Sequence, residues 1–319
     1  MISIDLVLRI AIAFLRDMDL EEFQQLVCET SYLLTDINDF ESEKIPRDGI
    51  ARSESSSEFV ILSPRYEAEI LLCYVLALSR AQLHSQSRRE LSEHDKQRYF
   101  KLLAMRKNGT PIEYILGRAS FYSLDLYVDN CVLIPRPETE LLVDKAIELI
   151  QKENLKDFIE VGTGSGAISL AILNSLSNLN AIATDISSAA LNIARHNAME
   201  LQLDGRCSFV EANLLESSQL DCLPKLLLSN PPYISRSYPL GVEVLCEPHL
   251  ALFGGDVGDE ILRRLICQAR QRGIKFLICE MGYDQRPSME DVLLKCGYEA
   301  EFYKDYAGLD RGFVATLQA

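Results

Sequence analysis

The chain has 319 residues, 48% hydrophobic and 25% charged, with 47 acidic against 32 basic side chains and a formal net charge of −15. That balance belongs to a globular protein long enough for two domains, and no run of eighteen apolar residues is present to cross a membrane as a helix. So acidic a surface gains nothing from a nucleic-acid phosphate backbone and suits a basic protein partner better.

Nine cysteines stand at positions 28, 73, 131, 207, 222, 246, 267, 279 and 296 with no C-x-x-C pair, and the four histidines are dispersed. An odd, scattered set points to reduced thiols and a cytoplasmic location, and to no metal site. The apolar stretch Leu6 to Leu15 is preceded by Asp5 and interrupted by Arg9, with no small-residue cleavage site after it, so it reads as an amphipathic helix rather than a signal peptide.

Residues 1–32 read as helical, and 33–60, rich in acids and serine without periodicity, as a flexible insertion. Ser63 is an N-cap candidate with Pro64 as first helical residue, and Ser92 with Asp95 opens another helix that stops near Asn108-Gly109. This first third carries no catalytic constellation. From Ser120 to Ile134 the period shortens toward alternation, which predicts a β-hairpin turning at Asp129-Asn130. In Pro135-Arg136-Pro137-Glu138-Thr139-Glu140, Pro137 opens the next helix. Here the acids merely favour a helix start, although a stiff turn can also close a ligand site.

From residue 157 strands and helices alternate, the pattern of a parallel sheet with crossover helices. Asp157 to Val161 is a strand, Gly162-Thr163-Gly164-Ser165-Gly166 a turn, and Ala167 to Leu173 a helix. The next strand ends at Asp185, where an acid takes the ribose hydroxyls of a nucleoside. Gly162, Gly164 and Ala167 also satisfy the dinucleotide pattern, so the turn alone leaves NAD and S-adenosylmethionine (SAM) both open. A third strand, Cys207 to Val210, leads to Asn213 and Leu214, placed to meet an adenine ring, although Leu214 reads equally as core.

The fourth strand, Lys225 to Ser229, delivers Asn230-Pro231-Pro232-Tyr233 beyond its C-terminal end, where open α/β sheets bind ligands. The Asn230 amide carbonyl can accept an N–H, the prolines stiffen the loop, and the Tyr233 ring can cover a planar group. These residues suit a flat, weakly nucleophilic nitrogen. Strands near 275–281, 298–304 and 313–317 finish the sheet. Glu280, at the end of the first of these, reads as a helix cap or a solvent contact.

The chain resembles the PrmC/HemK family, the release factor glutamine methyltransferases. The resemblance runs from about Ser63 to the C-terminus. It is carried by residues 109–117, by Ile134-Pro135-Arg136-Pro137-Glu138-Thr139-Glu140, by Gly162 to Ala167, by Ser229 to Ile234 and by Ala307 to Arg311. The Asn-Pro-Pro-Tyr element is shared with amino-methylating enzymes acting on DNA and RNA. Departures are Asn213 and Glu160, where the family usually has Asp, and Leu214, where it has an aromatic or bulky residue.

The resemblance implies a class I SAM-dependent methyltransferase, α/β and Rossmann-like, with a seven-stranded mostly parallel sheet. A helical substrate-recognition domain (1–118) and a β-hairpin (119–134) would precede the methyltransferase domain (135–319). It further implies SAM as cofactor, held by Gly162, Thr163, Gly164, Ser165, Gly166, Asp185, Asn213, Leu214 and Asn230. Asn230, Pro231 and Tyr233 would do the catalysis. Asn230, Pro231, Pro232, Tyr233 and Phe121 would bind the glutamine of a release-factor Gly-Gly-Gln motif. The partner would be a release factor, met by a monomer without stable nucleic acid or membrane. The alternatives are an adenine-N6 or other nucleic-acid amino-methyltransferase and a silent SAM-binding homologue.

Overall fold

The computed structural model describes residues 2–16, 18, 19, 22 and 63–318. The expected insertion at 33–60, and the first helix beyond Arg16, lie outside the described residues. The chain divides into two compact units, residues 1–116 with 241–246 and residues 117–240 with 247–319.

The first unit is helical: α1 (Ile4–Arg16), α2 (Pro64–Leu76), α3 (Arg80–Ser85), α4 (Glu93–Lys107) and α5 (Ile112–Leu116). Its core joins Val7 and Phe14 of α1 to Leu71 and Leu72 of α2 and to Tyr99 and Leu103 of α4. Helical spacing puts each set on one stripe, and burying the stripes together stabilises helices that would be marginal alone. Pro64 is the first helical residue of α2 and the Ser92 side chain caps α4 by accepting from the Asp95 N–H, as the sequence predicts. Ser63 precedes α2 without a side-chain capping bond.

The second unit opens with a hairpin, β1 (Arg118–Phe121) and β2 (Leu124–Tyr127). The expected turn at Asp129-Asn130 is wrong. The chain reverses at Tyr122-Ser123, both with positive φ (48° and 63°). Such a two-residue turn normally takes Asn or Gly. Here tertiary bonds hold it: the Tyr122 N–H donates to Glu140 Oε1 (2.7 Å) and its hydroxyl to Asp144 Oδ1 (2.7 Å). Asp129 instead makes a local Asx turn, accepting from the Cys131 N–H at 2.8 Å.

A short 3₁₀ turn, Pro137–Thr139, leads into α6 (Glu140–Glu153). Then come β3 (Asp157–Val161), α7 (Ala167–Ser175), β4 (Asn180–Asp185), α8 (Ser188–Glu200), β5 (Cys207–Glu211) and β6 (Leu226–Ser229). Beyond them lie β7 (Ile234–Ser235), α9 (His249–Leu252), β8 (Phe253–Gly255), α10 (Glu260–Gln271), β9 (Phe276–Glu280), α11 (Arg286–Lys295), β10 (Tyr298–Lys304) and β11 (Asp310–Leu317). Seven strands form one sheet in the order β10-β11-β9-β6-β3-β4-β5, in which β11 pairs antiparallel with both its neighbours and the other pairings are parallel.

The central strands alternate between two apolar layers, as a strand buried on both faces must. Phe158, Leu228 and Ile278 face the layer built with α6 and α7, whereas Ile159, Leu227 and Leu277 face that of α10 and α11.

Gly312 on β11 pairs with Glu280 on β9, and a Cβ there would lie 2.4 Å from the Cys279 carbonyl oxygen and 2.3 Å from the Tyr303 hydroxyl. Backbone cannot yield as a side chain can. Gly312→Ala is expected to destabilise the fold by about 1–3 kcal/mol, read from denaturant midpoints; an unchanged midpoint would exclude this packing.

Candidate active site

The turn after β3 is built from positive-φ glycines: Gly162 at 76°, Gly164 at 55° and Gly166 at 85°. A Cβ on Gly166 would press on Leu170 and Ala194, so this glycine serves close helix packing. A Cβ on Gly162 or Gly164 would meet nothing within 4 Å. Those two therefore leave bare backbone beside open space, the feature a nucleotide-sized ligand needs. Thr163 and Ser165 are buried within the turn. Asn197 of α8 ties it in place, donating from Nδ2 to the Ser165 carbonyl at 2.9 Å.

Asp185, at the end of β4, accepts from the Gly164 N–H (2.9 Å) through one oxygen and from the Ser187 N–H (2.9 Å) through the other. A carboxylate has about four lone-pair sites, so two stay available to hydroxyls. Burial raises its pKa. Asn213 is exposed past β5, and Leu214 beside it is half-buried with φ 56°. A left-handed Leu is strained and persists because neighbours fix it. The Glu216 N–H donates to the Asn213 carbonyl (3.1 Å) and the Leu215 N–H to Gln268 Oε1 (3.1 Å).

β6 pairs parallel with β3, so Asn230 emerges at the same strand ends as the glycine turn. Pro231 is buried, and Asn230, Pro232 and Tyr233 are half-buried. The loop is held by close backbone. A Cβ on Gly254 would lie 2.5 Å from the Pro232 carbonyl oxygen, and one on Gly258 2.6 Å from that of Tyr233. Gln285 Nε2 also donates to the Tyr233 carbonyl at 2.9 Å.

Asn230 Nδ2 donates to Thr139 Oγ1 (3.1 Å), and the Thr139 hydroxyl donates to Glu280 Oε2 (2.7 Å). The Tyr233 hydroxyl donates to Glu280 Oε1 at 3.1 Å. Glu280 is thus neither a helix cap nor a solvent contact, as the sequence suggested. It is 1% exposed and joins the Pro137–Thr139 turn to the Asn230 loop, and that turn adjoins Asn230 through Thr139. Burial pushes its carboxyl up to about 7, against the opposing pull of Thr139, Arg311 and Tyr233. Burial also raises the Tyr233 phenol.

Phe121 stands apart from this cluster: it is 1% exposed and packs in the core with Leu124, Leu126 and Leu142. Sequence reasoning missed Gln285, Gly254 and Gly258, and it named Thr139 only as part of a turn that can close the site. Glu280 also offered a signal, as an acid closing an apolar strand at the ligand-binding end of the sheet. Among the described residues, no group of three or more His, Cys, Asp or Glu side chains is placed to hold a metal ion, and no helix is long and apolar enough to cross a membrane.

Comparison with known proteins gives two family matches, the PrmC N-terminal domain over residues 56–117 and the Methyltransferase small domain over 138–241. A release factor glutamine methyltransferase of Koribacter versatilis is 36% identical over 239 residues, 72% of this chain and 84% of that protein. One from Moorella thermoacetica is 36% identical over 263 residues, covering 79% and 91%. Among solved structures, the human METTL16 catalytic domain in complex with MAT2A 3′UTR hairpin 6 superposes with a TM-score of 0.50 at 16% identity, covering 71% of this chain and 82% of that one, a likeness of fold alone.

Glu160, 1% exposed on β3, supports the glycine turn: Oε2 accepts from Thr163 Oγ1 (2.8 Å), from the Ser169 N–H (3.1 Å) and from the Ser169 hydroxyl. Burial outweighs these bonds and lifts its carboxyl from 4.5 to about 7. A raised carboxyl contributes stability below its unfolded pKa and loses it as pH rises through the folded value. Glu160→Gln, which cannot ionise, is therefore expected to gain thermal stability relative to wild type between about pH 5 and about pH 8. A midpoint difference that does not change with pH would contradict the assignment.

Proposed function

The chain belongs to the family of release factor glutamine methyltransferases, and on that premise we propose its reaction. It transfers a methyl group from SAM to the side-chain nitrogen of the glutamine in the Gly-Gly-Gln motif of a peptide chain release factor, giving N5-methylglutamine. The observation that carries this reading is the Asn230 carboxamide, whose NH₂ end is occupied by Thr139, so that its carbonyl is the end left for a substrate N–H.

The open backbone at Gly162 and Gly164 fits a nucleoside-bearing cofactor. In this reading Gly162, Thr163, Gly164, Ser165 and Gly166 line the cofactor, and Asp185 takes the ribose hydroxyls with its two remaining lone pairs. Asn213 and Leu214 take the adenine. SAM, when bound, supplies an electrophilic methyl on a sulfonium leaving group.

An amide nitrogen is a poor nucleophile because its lone pair is shared with the carbonyl. The Asn230 carbonyl and the Pro231 backbone carbonyl accept its two hydrogens, align the lone pair and stabilise the positive charge that develops. Tyr233 and Pro232 confine the amide plane. Positioning of this kind is worth about 7–11 kcal/mol in the best intramolecular cases. The helical unit recognises the release factor, and the enzyme works as a cytoplasmic monomer.

Asn230→Ala is expected to lower turnover by about 10²–10³-fold while calorimetry still detects SAM binding. Loss of binding and turnover together would speak against a substrate-orienting role. Asp185→Ala is expected to weaken SAM binding by roughly ten- to a hundredfold, as for removal of charged hydrogen bonds; unchanged affinity would sink the ribose assignment. The reading as a whole is tested with labelled SAM, an unmodified release factor, its Gln-substituted variant and duplex DNA. Label on the wild-type glutamine alone is expected, and label on DNA or at another residue would overturn the substrate.

A further inference from the structure

We propose that Glu280 and Thr139 are positioning residues for methyl transfer: the Glu280 carboxylate fixes the direction of the Thr139 hydroxyl, the hydroxyl fixes which end of the Asn230 carboxamide meets the substrate, and the same carboxylate anchors the Tyr233 ring. This rests on the reading that the Asn230 carbonyl accepts an N–H of the substrate amide.

The relay follows from donor counting. An ionised carboxylate only accepts. Thr139, 4% exposed, spends its one proton on Glu280 Oε2 at 2.7 Å and can only accept from Asn230. At 3.1 Å from that oxygen, the Asn230 carboxamide must therefore present its NH₂ inward and its carbonyl outward. A flipped carboxamide would set two acceptors against each other inside and offer N–H groups to a substrate amide that also donates. The other Glu280 oxygen holds the Tyr233 hydroxyl at 3.1 Å, so one buried group fixes two residues of the Asn-Pro-Pro-Tyr loop.

The direction of the relay depends on the charge of Glu280. A proton on Oε2 would make the carboxyl the donor to Thr139. The Thr139 hydroxyl would then donate toward Asn230 and favour the flipped carboxamide. The charged and titratable groups facing Glu280 are Glu138 beside Thr139, Tyr233 of the loop, Arg311 of β11 and Tyr303 of β10. Arg311 favours the carboxylate and is itself held by Asp305 (Nη2–Oδ2 2.8 Å), whereas Glu138 and burial favour the acid. Tyr303 is half-buried, and its buried hydroxyl has no hydrogen-bond partner among the described residues. The balance leaves the Glu280 carboxyl at about 7, inside the range where an enzyme works.

The test uses the full-length enzyme with an unmodified release factor and compares Thr139→Val, Thr139→Ser and Glu280→Gln with wild type. Thr139→Val keeps the shape and removes the hydroxyl. It is expected to lower kcat by about 10–100-fold with SAM affinity unchanged, while Thr139→Ser restores kcat to within a few-fold. Wild-type kcat is expected to fall as pH drops through about 7, and Glu280→Gln to flatten that acid limb. A Thr139→Val enzyme with wild-type kcat, or a Ser variant as impaired as Val, would overturn the relay and leave the substrate reading standing. So would an acid limb that persists in Glu280→Gln. A wild-type enzyme that methylates no release factor would instead overturn both.

Discussion

The parallel pairing of β3 with β6 is the constraint on which the site depends. The backbone hydrogen bonds between Ile159, Glu160 and their partners Leu227 and Leu228 put the C-terminal ends of two strands side by side. One end continues into the glycine turn and the other into Asn230. Neither loop has a hydrophobic reason to meet the other, so the sheet brings them together. The register is secured from both faces, because a one-residue slip would move Leu227 and Leu228 into each other's apolar layer.

Two buried carboxylates stand behind the two loops. Glu160 lies under the glycine turn and binds Thr163 and Ser169. Glu280 lies behind the Asn230 loop and binds Thr139 and Tyr233. Burial lifts both to about 7. Each is costly to keep ionised and each is surrounded by donors, the combination expected where geometry matters more than stability. Their tasks differ: the three bonds to Glu160 come from Thr163 and Ser169, three and nine positions away, and tie the glycine turn to the start of α7, whereas those to Glu280 join segments 141 and 47 positions away along the chain.

Close backbone does comparable work around the Asn-Pro-Pro-Tyr loop. Gly254 and Gly258 admit the Pro232 and Tyr233 carbonyls to distances that any Cβ would forbid. The prolines themselves offer no N–H, so the loop is held through its carbonyls and side chains.

What the sequence determined was everything with a local signature. Apolar runs ending in Gly162, Asp185 and Asn230 gave the strands and their terminal loops, because a strand buried on both faces is predominantly apolar. The resemblance then supplied the family and the chemistry. The tertiary structure alone decided what depends on partners distant along the chain. The hairpin turns at Tyr122-Ser123 because Glu140 and Asp144 hold it, overriding the turn preference of Asp129-Asn130. Glu280 looked like a strand-end acid, and Thr139 like part of a helix start. Their roles come from meeting Asn230 and Tyr233 in one desolvated cluster, and hydrogen bonds made across folded strands leave no periodicity in the chain that makes them.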